Sequence, residues 1–265
     1  MTLGLDIVGE VIESTSPHFT IGDYVIAFPK DGSYAQEVIA KADLVYKVPQ
    51  TLSLKQAAAM PTVSFLANML VEHIAQVTPD DVVVIHSAAG GVGSMLIQLC
   101  YQKGCKTIIG TVSHPSKYEY VKQLGATHVC SYDEFTALTN AITTNGASII
   151  FDSVAGTVSR NSLSCLDNFG TLVQFGNSSG EKAIFHNTDV HNSCRQIKGF
   201  SLGTTRAKKP ALIRPFAEQM IDAFAANKLH LHISAIYPLE QIQQAHFDFE
   251  KRVHTGKILI QLGEK

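Results

Sequence analysis

The sequence predicts an α/β protein in which a doubly wound parallel sheet accompanies a smaller β-barrel. Between residues 80 and 175, short β-branched apolar runs alternate with helical patterns, as in parallel sheets with helices on both faces. Near both ends of the chain, short strands separated by turn signals are typical of a small barrel instead. We therefore assign residues 51–227 to the doubly wound domain, and residues 1–50 with 228–265 to the barrel.

The centre of the predicted sheet is a strand–loop–helix–strand unit that runs from Asp80 to Gly110. Val82 to His86 is a β-branched apolar run, typical of a strand that is buried on both faces. A loop of small residues follows at once, and a helix is predicted from Gly91 to about Lys103. A second apolar run, Thr107 to Ile109, completes the unit, which is the context in which a glycine-rich loop binds a dinucleotide.

The loop matches G-x-G-x-x-G at two of three positions, with Ala88, Gly90 and Gly93 in order. The second position lacks a side chain so that a pyrophosphate can approach the backbone, and the third lets the helix pack closely. The amide groups at the helix start then face the phosphates at the positive end of the helix dipole. The alternative interpretation is a tight strand-to-helix turn that binds no ligand.

The residues after the second strand favour NADPH over NAD. An NAD site places an acid there to accept hydrogen bonds from the ribose 2′-hydroxyl, but no acid occurs before Glu119. Thr111 and Ser113 can donate hydrogen bonds, and Lys117 supplies positive charge, which suits a 2′-phosphate. The alternative is a polar loop with a solvated lysine.

The remaining elements follow the same patterns. Barrel strands are predicted over 7–12, 24–28, 34–39, 44–48, 233–237 and 257–262, and further sheet strands over 128–130, 148–151 and 171–175. Helices are predicted over 53–72, 118–124, 135–143, 162–166, 215–226 and 239–250, with Ser53 and Gln56 as a capping box and Pro61 starting a second helix. Because the chain begins almost directly on a strand, we expect a barrel that is incomplete at the N-terminus.

Composition restricts the class of protein. The net charge is −2, 45% of residues are hydrophobic and 17% are charged, so a folded core is expected and nucleic-acid binding is not. The five cysteines are scattered and form no C-x-x-C pair, which argues against a disulfide framework or a structural zinc site. No signal peptide or long apolar run occurs, so we expect a cytoplasmic protein without a membrane partner.

Several motifs resemble the quinone oxidoreductase branch of the medium-chain dehydrogenase/reductase superfamily, which includes zeta-crystallin. They occur in that family's order and cover nearly the whole chain. They are LGLDIVGEV at 3–11, GSYAQEV at 32–38, HSAAGGVG at 86–93, GTVS at 110–113, FDSV at 151–154, FGNSSG at 175–180, YPLEQIQQAH at 237–246 and TGKILI at 255–260.

The resemblance implies a Rossmann domain, a GroES-like barrel, NADPH as cofactor, hydride transfer to a quinone or an enone, and a homodimer. It also implies the cofactor contacts. The pyrophosphate would lie on Ala88, Ala89, Gly90, Gly91, Val92 and Gly93. The adenosine 2′-phosphate and ribose would be held by Ser113, Lys117 and Tyr132, and Gly110 and Thr111 also belong to the cofactor site. The cleft would be lined by Ser153, Phe175, Gly176, Asn177 and Ser178, with Leu202 and Gly203 near the nicotinamide and Arg252 in contact with the cofactor from the C-terminal part. Arg252 equally fits a solvated arginine at a helix end.

Two departures from the family pattern bear on metal and nicotinamide binding. Zinc-dependent relatives carry His and Glu where this chain has Leu5 and Asp6, so no zinc is expected. The family's Thr and Tyr before the glycine loop are replaced by Leu66 and Asn68. Asn68 has two interpretations, as a substitute hydrogen-bond donor or as a surface residue.

Other chemistries are poorly supported. Tyr118 and Lys122 form Y-x-x-x-K, but directly after the second strand this pair is better interpreted as a surface pair. His86 is better interpreted as a core histidine satisfied by backbone than as a proton donor, and no G-x-S-x-G or H-E-x-x-H motif occurs. The catalytic residues stay unknown. Two alternatives to the reductase are an NADPH-binding protein without turnover and an enoyl reductase acting on acyl chains.

Overall fold

The computed structural model describes residues 3–30, 32–251 and 254–263. The chain divides into two compact units: residues up to Leu66 together with those from Leu202 onward, and Ala67–Ser201. Residues 51–66 and 202–227 thus group with the first unit rather than with the sheet, and the functional domain boundaries stay a prediction. Within the described ranges, every helix is too short or too polar to cross a bilayer.

The secondary structure alternates strands and helices through the middle of the chain. The strands are β1 (Ile7–Glu10), β2 (Tyr24–Ala27), β3 (Val45–Lys47), β4 (Val82–Ile85), β5 (Thr107–Thr111), β6 (His128–Cys130), β7 (Ala147–Asp152), β8 (Leu166–Gln174), β9 (Gln196–Gly199), β10 (Ile233–Pro238) and β11 (Lys257–Gln261). The α-helices are α1 (Leu54–Ala59), α2 (Pro61–Asn68), α3 (Gly91–Gln102), α4 (Tyr118–Gln123), α5 (Phe135–Ile142), α6 (Gly156–Ser164), α7 (Asn187–His191), α8 (Leu202–Lys208), α9 (Arg214–Ala225) and α10 (Ile242–Glu250).

The Ala67–Ser201 unit contains a six-stranded sheet with the order β6-β5-β4-β7-β8-β9, in which every neighbouring pair is parallel. This is the doubly wound order of dinucleotide-binding folds, and the strand order reverses between β4 and β7. Val83, Val84 and Ile85 of β4 are fully buried, as expected for a strand covered on both faces. The predicted doubly wound α/β fold is confirmed.

The first unit contains two smaller sheets. Strands β1, β2 and β3 form an antiparallel sheet, and β10 pairs with β11 in parallel. The strand predicted over 34–39 is wrong, since residues 32–39 form no strand. The amides of Ser33 and Tyr34 both donate to the Leu3 carbonyl, which turns the backbone away from a strand ladder.

Some helix caps and element boundaries differ from the prediction. The Ser53 hydroxyl accepts the Gln56 amide, but the Gln56 side chain bonds Leu231 instead of completing the capping box. Helix α2 continues directly into a π-helix over Met69–Ala75, which the sequence pattern did not indicate. Helix α6 begins at Gly156 rather than Ser162, and β8 begins five residues before the predicted Thr171 because Leu166 already pairs with Ala147.

Candidate functional site

The glycine loop joins β4 to α3 in a tight turn. Ser87 has a left-handed backbone (φ 53°), and its carbonyl accepts the Gly90 amide at 2.9 Å. A Cβ atom on Gly93 would lie 2.3 Å from the Ser87 oxygen, so that position tolerates no side chain. Gly90 is exposed, and a Cβ there would meet only the Ser87 oxygen, at 3.2 Å. The loop therefore exposes Gly90 at the N-terminus of α3, where the first amides lack intrahelical partners.

Tyr132 supports the base of this loop. Its hydroxyl accepts the Ser87 amide at 2.9 Å and lies 3.1 Å from the Ser87 hydroxyl. The resemblance implies that Tyr132, together with Ser113 and Lys117, holds the adenosine 2′-phosphate and ribose, and that role stays a prediction. In the structure its hydroxyl holds the loop, a long-range contact that no local pattern indicates.

The residues at the end of β5 are buried, whereas those in the loop that follows are more exposed. A Cβ on Gly110 would lie 2.7 Å from Val121 and 2.9 Å from Ala88, so glycine is required there for close packing. Thr111 is fully buried, and its hydroxyl bonds His86 rather than pointing toward a phosphate. Of the predicted polar residues, Ser113 is exposed and Lys117 is half-buried.

His86 is a buried, neutral core histidine. The Ser162 hydroxyl donates to the Val158 carbonyl at 2.8 Å, so its oxygen accepts a hydrogen bond from His86 Nε2 at 2.9 Å. In this neutral tautomer His86 Nδ1 accepts the Thr111 hydroxyl, also at 2.9 Å. Burial lowers the pKa of His86 to about 4, against the opposing effect of the Asp152 charge. The core interpretation is supported, except that the partners are side chains rather than backbone groups.

Asp152 is fully buried at the carboxyl end of β7 and organises the loop that follows. One carboxylate oxygen accepts the amides of Val154 and Ala155, at 2.7 and 3.1 Å. The other accepts the Ser159 hydroxyl and the Gln174 side-chain amide, both at 2.5 Å. The sequence placed Asp152 at a strand end but did not indicate this role; its position shortly before a helix start was the available signal.

The loops that follow β7 and β8 are joined by backbone hydrogen bonds. The Phe175 amide donates to the main-chain carbonyl of Asp152 at 3.0 Å, and the Ser178 amide donates to the main-chain carbonyl of Ser153 at 2.9 Å. A Cβ on Gly176 would lie 2.9 Å from the Ser153 carbonyl, so this close approach requires glycine. The structure therefore brings together the predicted cleft residues of these two loops, with Asn177 exposed at the edge.

These loops and the glycine loop lie at the same edge of the sheet because β4, β5, β7 and β8 are all parallel. In doubly wound folds this edge, at the point where the strand order reverses, is the ligand-binding crevice. Leu202, which is buried, and Gly203, which is exposed, begin α8 in the other compact unit. Arg252 lies outside the described residues.

The remaining candidates are placed as follows. Asn68 is buried, so its interpretation as a surface residue is wrong. Asp6 accepts the Thr62 amide at 2.8 Å, and within the described chain no group of three or more His, Cys, Asp or Glu is arranged to hold a metal. Lys122 is exposed and pairs with Glu119 at 3.3 Å, as expected for a surface residue.

Comparisons with known proteins agree with this geometry. A family model described as zinc-binding dehydrogenase matches residues 91–218. A "Probable quinone oxidoreductase" of Schizosaccharomyces pombe is 32% identical over 263 residues, covering 97% of this chain and 78% of that protein. A 2-haloacrylate reductase of a Burkholderia species is 29% identical over 94% of this chain and 78% of that protein.

A crystal structure of Escherichia coli quinone oxidoreductase complexed with NADPH superposes with a TM-score of 0.88 and 27% identity, covering 97% of this chain and 81% of that one. The likeness thus extends beyond the sheet to the strands near both ends of the chain. This likeness, the 32% identical relative, the strand order and the glycine loop together identify the family. The chain belongs to the quinone oxidoreductase branch of the medium-chain dehydrogenase/reductase superfamily.

Proposed function

We propose that this protein is an NADPH-dependent oxidoreductase that transfers a hydride to a quinone or to an α,β-unsaturated carbonyl compound, without zinc. The observation that carries the proposal lies at this edge of the sheet, where exposed Gly90 precedes α3 and no acid occurs between the end of β5 and Glu119. Ser113 and Lys117 occupy that position instead, which suits a 2′-phosphate. The E. coli relative crystallised with NADPH supports the same assignment.

The residues of this chain would bind and orient the cofactor. The first amides of α3, which follow Gly90 and lack intrahelical partners, would bind the pyrophosphate at the positive end of the helix dipole, and the loops after β7 and β8 would line the cleft. Because residue 176 is a glycine, no side chain lies between the backbones of these two loops at that point. When bound, NADPH supplies the hydride, and the protein contributes binding and positioning.

The substrate class follows from the relatives' names and from the chemistry of the site. The yeast and E. coli proteins are named quinone oxidoreductases, and the Burkholderia protein is named for reduction of a 2-haloacrylate, a conjugated double bond. Both acceptors are electron-poor and accept a hydride without a metal. Solvent or a ribose hydroxyl would supply the proton, since His86 is buried and neutral and both its ring nitrogens are already hydrogen-bonded to Thr111 and Ser162. Zinc independence is supported by Leu5 and by Asp6, which is already bonded to a backbone amide.

A second candidate is an NADPH-binding protein with little turnover. It is favoured by Leu66 and Asn68, which replace the family's Thr and Tyr near the nicotinamide and are both buried. A homodimer, which only the family resemblance supports, and a cytoplasmic location, which is expected from the sequence, are further proposals.

The decisive experiment measures binding and turnover separately. Calorimetry with NADPH and with NADH tests the cofactor, and loss of the NADPH absorbance tests turnover with para-benzoquinone and with cyclohexenone. We expect tighter binding of NADPH, and oxidation with at least one acceptor that survives dialysis against a metal chelator. Binding without oxidation would favour the second candidate, no binding would overturn the cofactor assignment, and chelator-sensitive turnover would overturn zinc independence.

A further inference from the structure

Two cysteines lie together where α3 ends, at the opposite end of the helix from the glycine loop. Gly104 has a left-handed backbone (φ 87°) and turns the chain back, so that the Cys105 amide donates to the Cys100 carbonyl at 3.1 Å. This is the backbone reversal that commonly closes a helix, and it places the two side chains next to each other. Both residues are buried, Cys100 completely and Cys105 with 5% of its surface exposed.

The two thiols form a directed hydrogen-bonded chain. The Cys100 thiol donates to the Cys105 sulfur, and the Cys105 thiol donates to the Thr78 carbonyl at 3.3 Å. The hydrogen bond from Cys100 lowers the pKa of Cys105, and the same bond raises the pKa of Cys100 well above its usual value. Cys105 is therefore the more readily ionised member, and it is also the one nearer to solvent.

We propose that Cys100 and Cys105 form a redox-active dithiol that hydrogen peroxide closes to an intramolecular disulfide. The Cys105 thiolate attacks one peroxide oxygen and breaks the O–O bond, which gives a sulfenic acid and hydroxide. The Cys100 sulfur then attacks the Cys105 sulfur, forming the S–S bond and releasing the second oxygen as water. In total two thiols and one peroxide yield one disulfide and two waters.

The other cysteines serve as internal comparisons. Cys130 and Cys165 are buried in the core of the sheet, and burial raises the pKa of Cys130 to about 12 and that of Cys165 to about 11. Both therefore stay protonated and unreactive. Cys194 is a free, exposed thiol, and we expect peroxide to oxidise it without forming a disulfide.

The test uses the full chain with Cys194→Ser, which removes the exposed thiol. After peroxide treatment of the folded protein and alkylation in denaturant, we expect the mass to fall by two hydrogen atoms and two thiols to escape alkylation. Trypsin cleaves after Lys103 and Lys106, so the disulfide would join the peptide ending at Lys103 to the tripeptide 104–106. Dithiothreitol should release that tripeptide.

Three further variants and a second probe complete the design. With Cys100→Ser added, we expect Cys105 to gain oxygen without a cross-link, whereas Cys130→Ser should leave the cross-link unchanged. Phenylarsine oxide, which bridges two close thiols, should bind the unoxidised protein at one per chain and not the Cys105→Ser variant. The proposal is overturned if peroxide adds oxygen to Cys105 without a cross-link, if neither thiol reacts before unfolding, or if the arsenical does not bind.

Discussion

The side-chain amide of Gln174 donates to the same Asp152 oxygen that accepts the Ser159 hydroxyl, each at 2.5 Å. The second Asp152 oxygen accepts two amides of the following loop. One buried carboxylate therefore fixes the end of β7, the end of β8 and the start of α6. Because the loops after β7 and β8 form part of the proposed cofactor cleft, this carboxylate links stability of the sheet edge to binding.

Asp152→Asn should weaken both properties. The asparagine amide would place a donor against the Gln174 and Ser159 donors, and leaving a buried donor unpaired costs about 1–3 kcal/mol. We expect a corresponding loss in the free energy of unfolding in urea and a roughly tenfold rise in the Kd for NADPH. Asp133→Asn, at an exposed carboxylate, is the matched control and should change neither quantity. Wild-type stability in Asp152→Asn would contradict this role.

Lys117→Ala should discriminate between the two nicotinamide cofactors. Removing the ammonium group removes a charge-assisted contact with the 2′-phosphate, so we expect NADPH affinity to fall about tenfold, or about 1.4 kcal/mol, with NADH affinity unchanged. Lys122→Ala, at an exposed lysine paired with Glu119, should leave both affinities as in the wild type. Equal losses of NADPH and NADH in Lys117→Ala would remove the 2′-phosphate assignment.

Local patterns predicted the centre of the fold well. The start of α3 at Gly91 and the strands on either side of it follow from β-branched runs and a glycine loop, which act over a few residues. The close packing at Gly93 was predicted for the same reason, although the structure shows that the contact is with the Ser87 carbonyl.

Features that depend on distant partners were not predictable. Residues 34–39 alternate like a strand, yet the Leu3 carbonyl accepts the amides at their start. Thr111 was predicted to face a phosphate, but its position on β5 turns the hydroxyl inward to His86. Likewise, Tyr132 meets Ser87 across 45 positions of sequence, and no periodicity encodes that contact.

Substitution of Gly90 should affect cofactor binding, whereas substitution of Gly93 should affect the stability of the fold. Gly90 is exposed at the proposed binding edge, and an added Cβ there meets only one oxygen, at 3.2 Å, so we expect Gly90→Val to abolish NADPH binding while the protein stays folded. At Gly93 an added Cβ would lie 2.3 Å from backbone, so Gly93→Ala should lower the melting temperature strongly. Calorimetry and circular dichroism on both variants measure the contrast. Unchanged affinity in Gly90→Val would count against the cleft.

His86 also makes stability depend on pH. Its ordinary pKa of 6.5 applies to the unfolded chain, whereas burial lowers the pKa to about 4 in the folded protein. Between these values the unfolded state binds a proton that the folded state does not, so acid favours unfolding. The stabilisation is therefore complete above pH 6.5 and is lost progressively as the pH falls toward 4.

We expect the free energy of unfolding to fall by roughly 3 kcal/mol over that interval because of His86 alone, on the scale of 1.36 kcal/mol per pH unit. His86→Gln keeps a donor and an acceptor for Ser162 and Thr111 but does not titrate, so its stability should decline less steeply between pH 6.5 and 4. His191→Gln, at an exposed histidine, should retain the wild-type slope. Urea denaturation at a series of pH values measures all three proteins, and parallel slopes for wild type and His86→Gln would show that His86 is not held neutral.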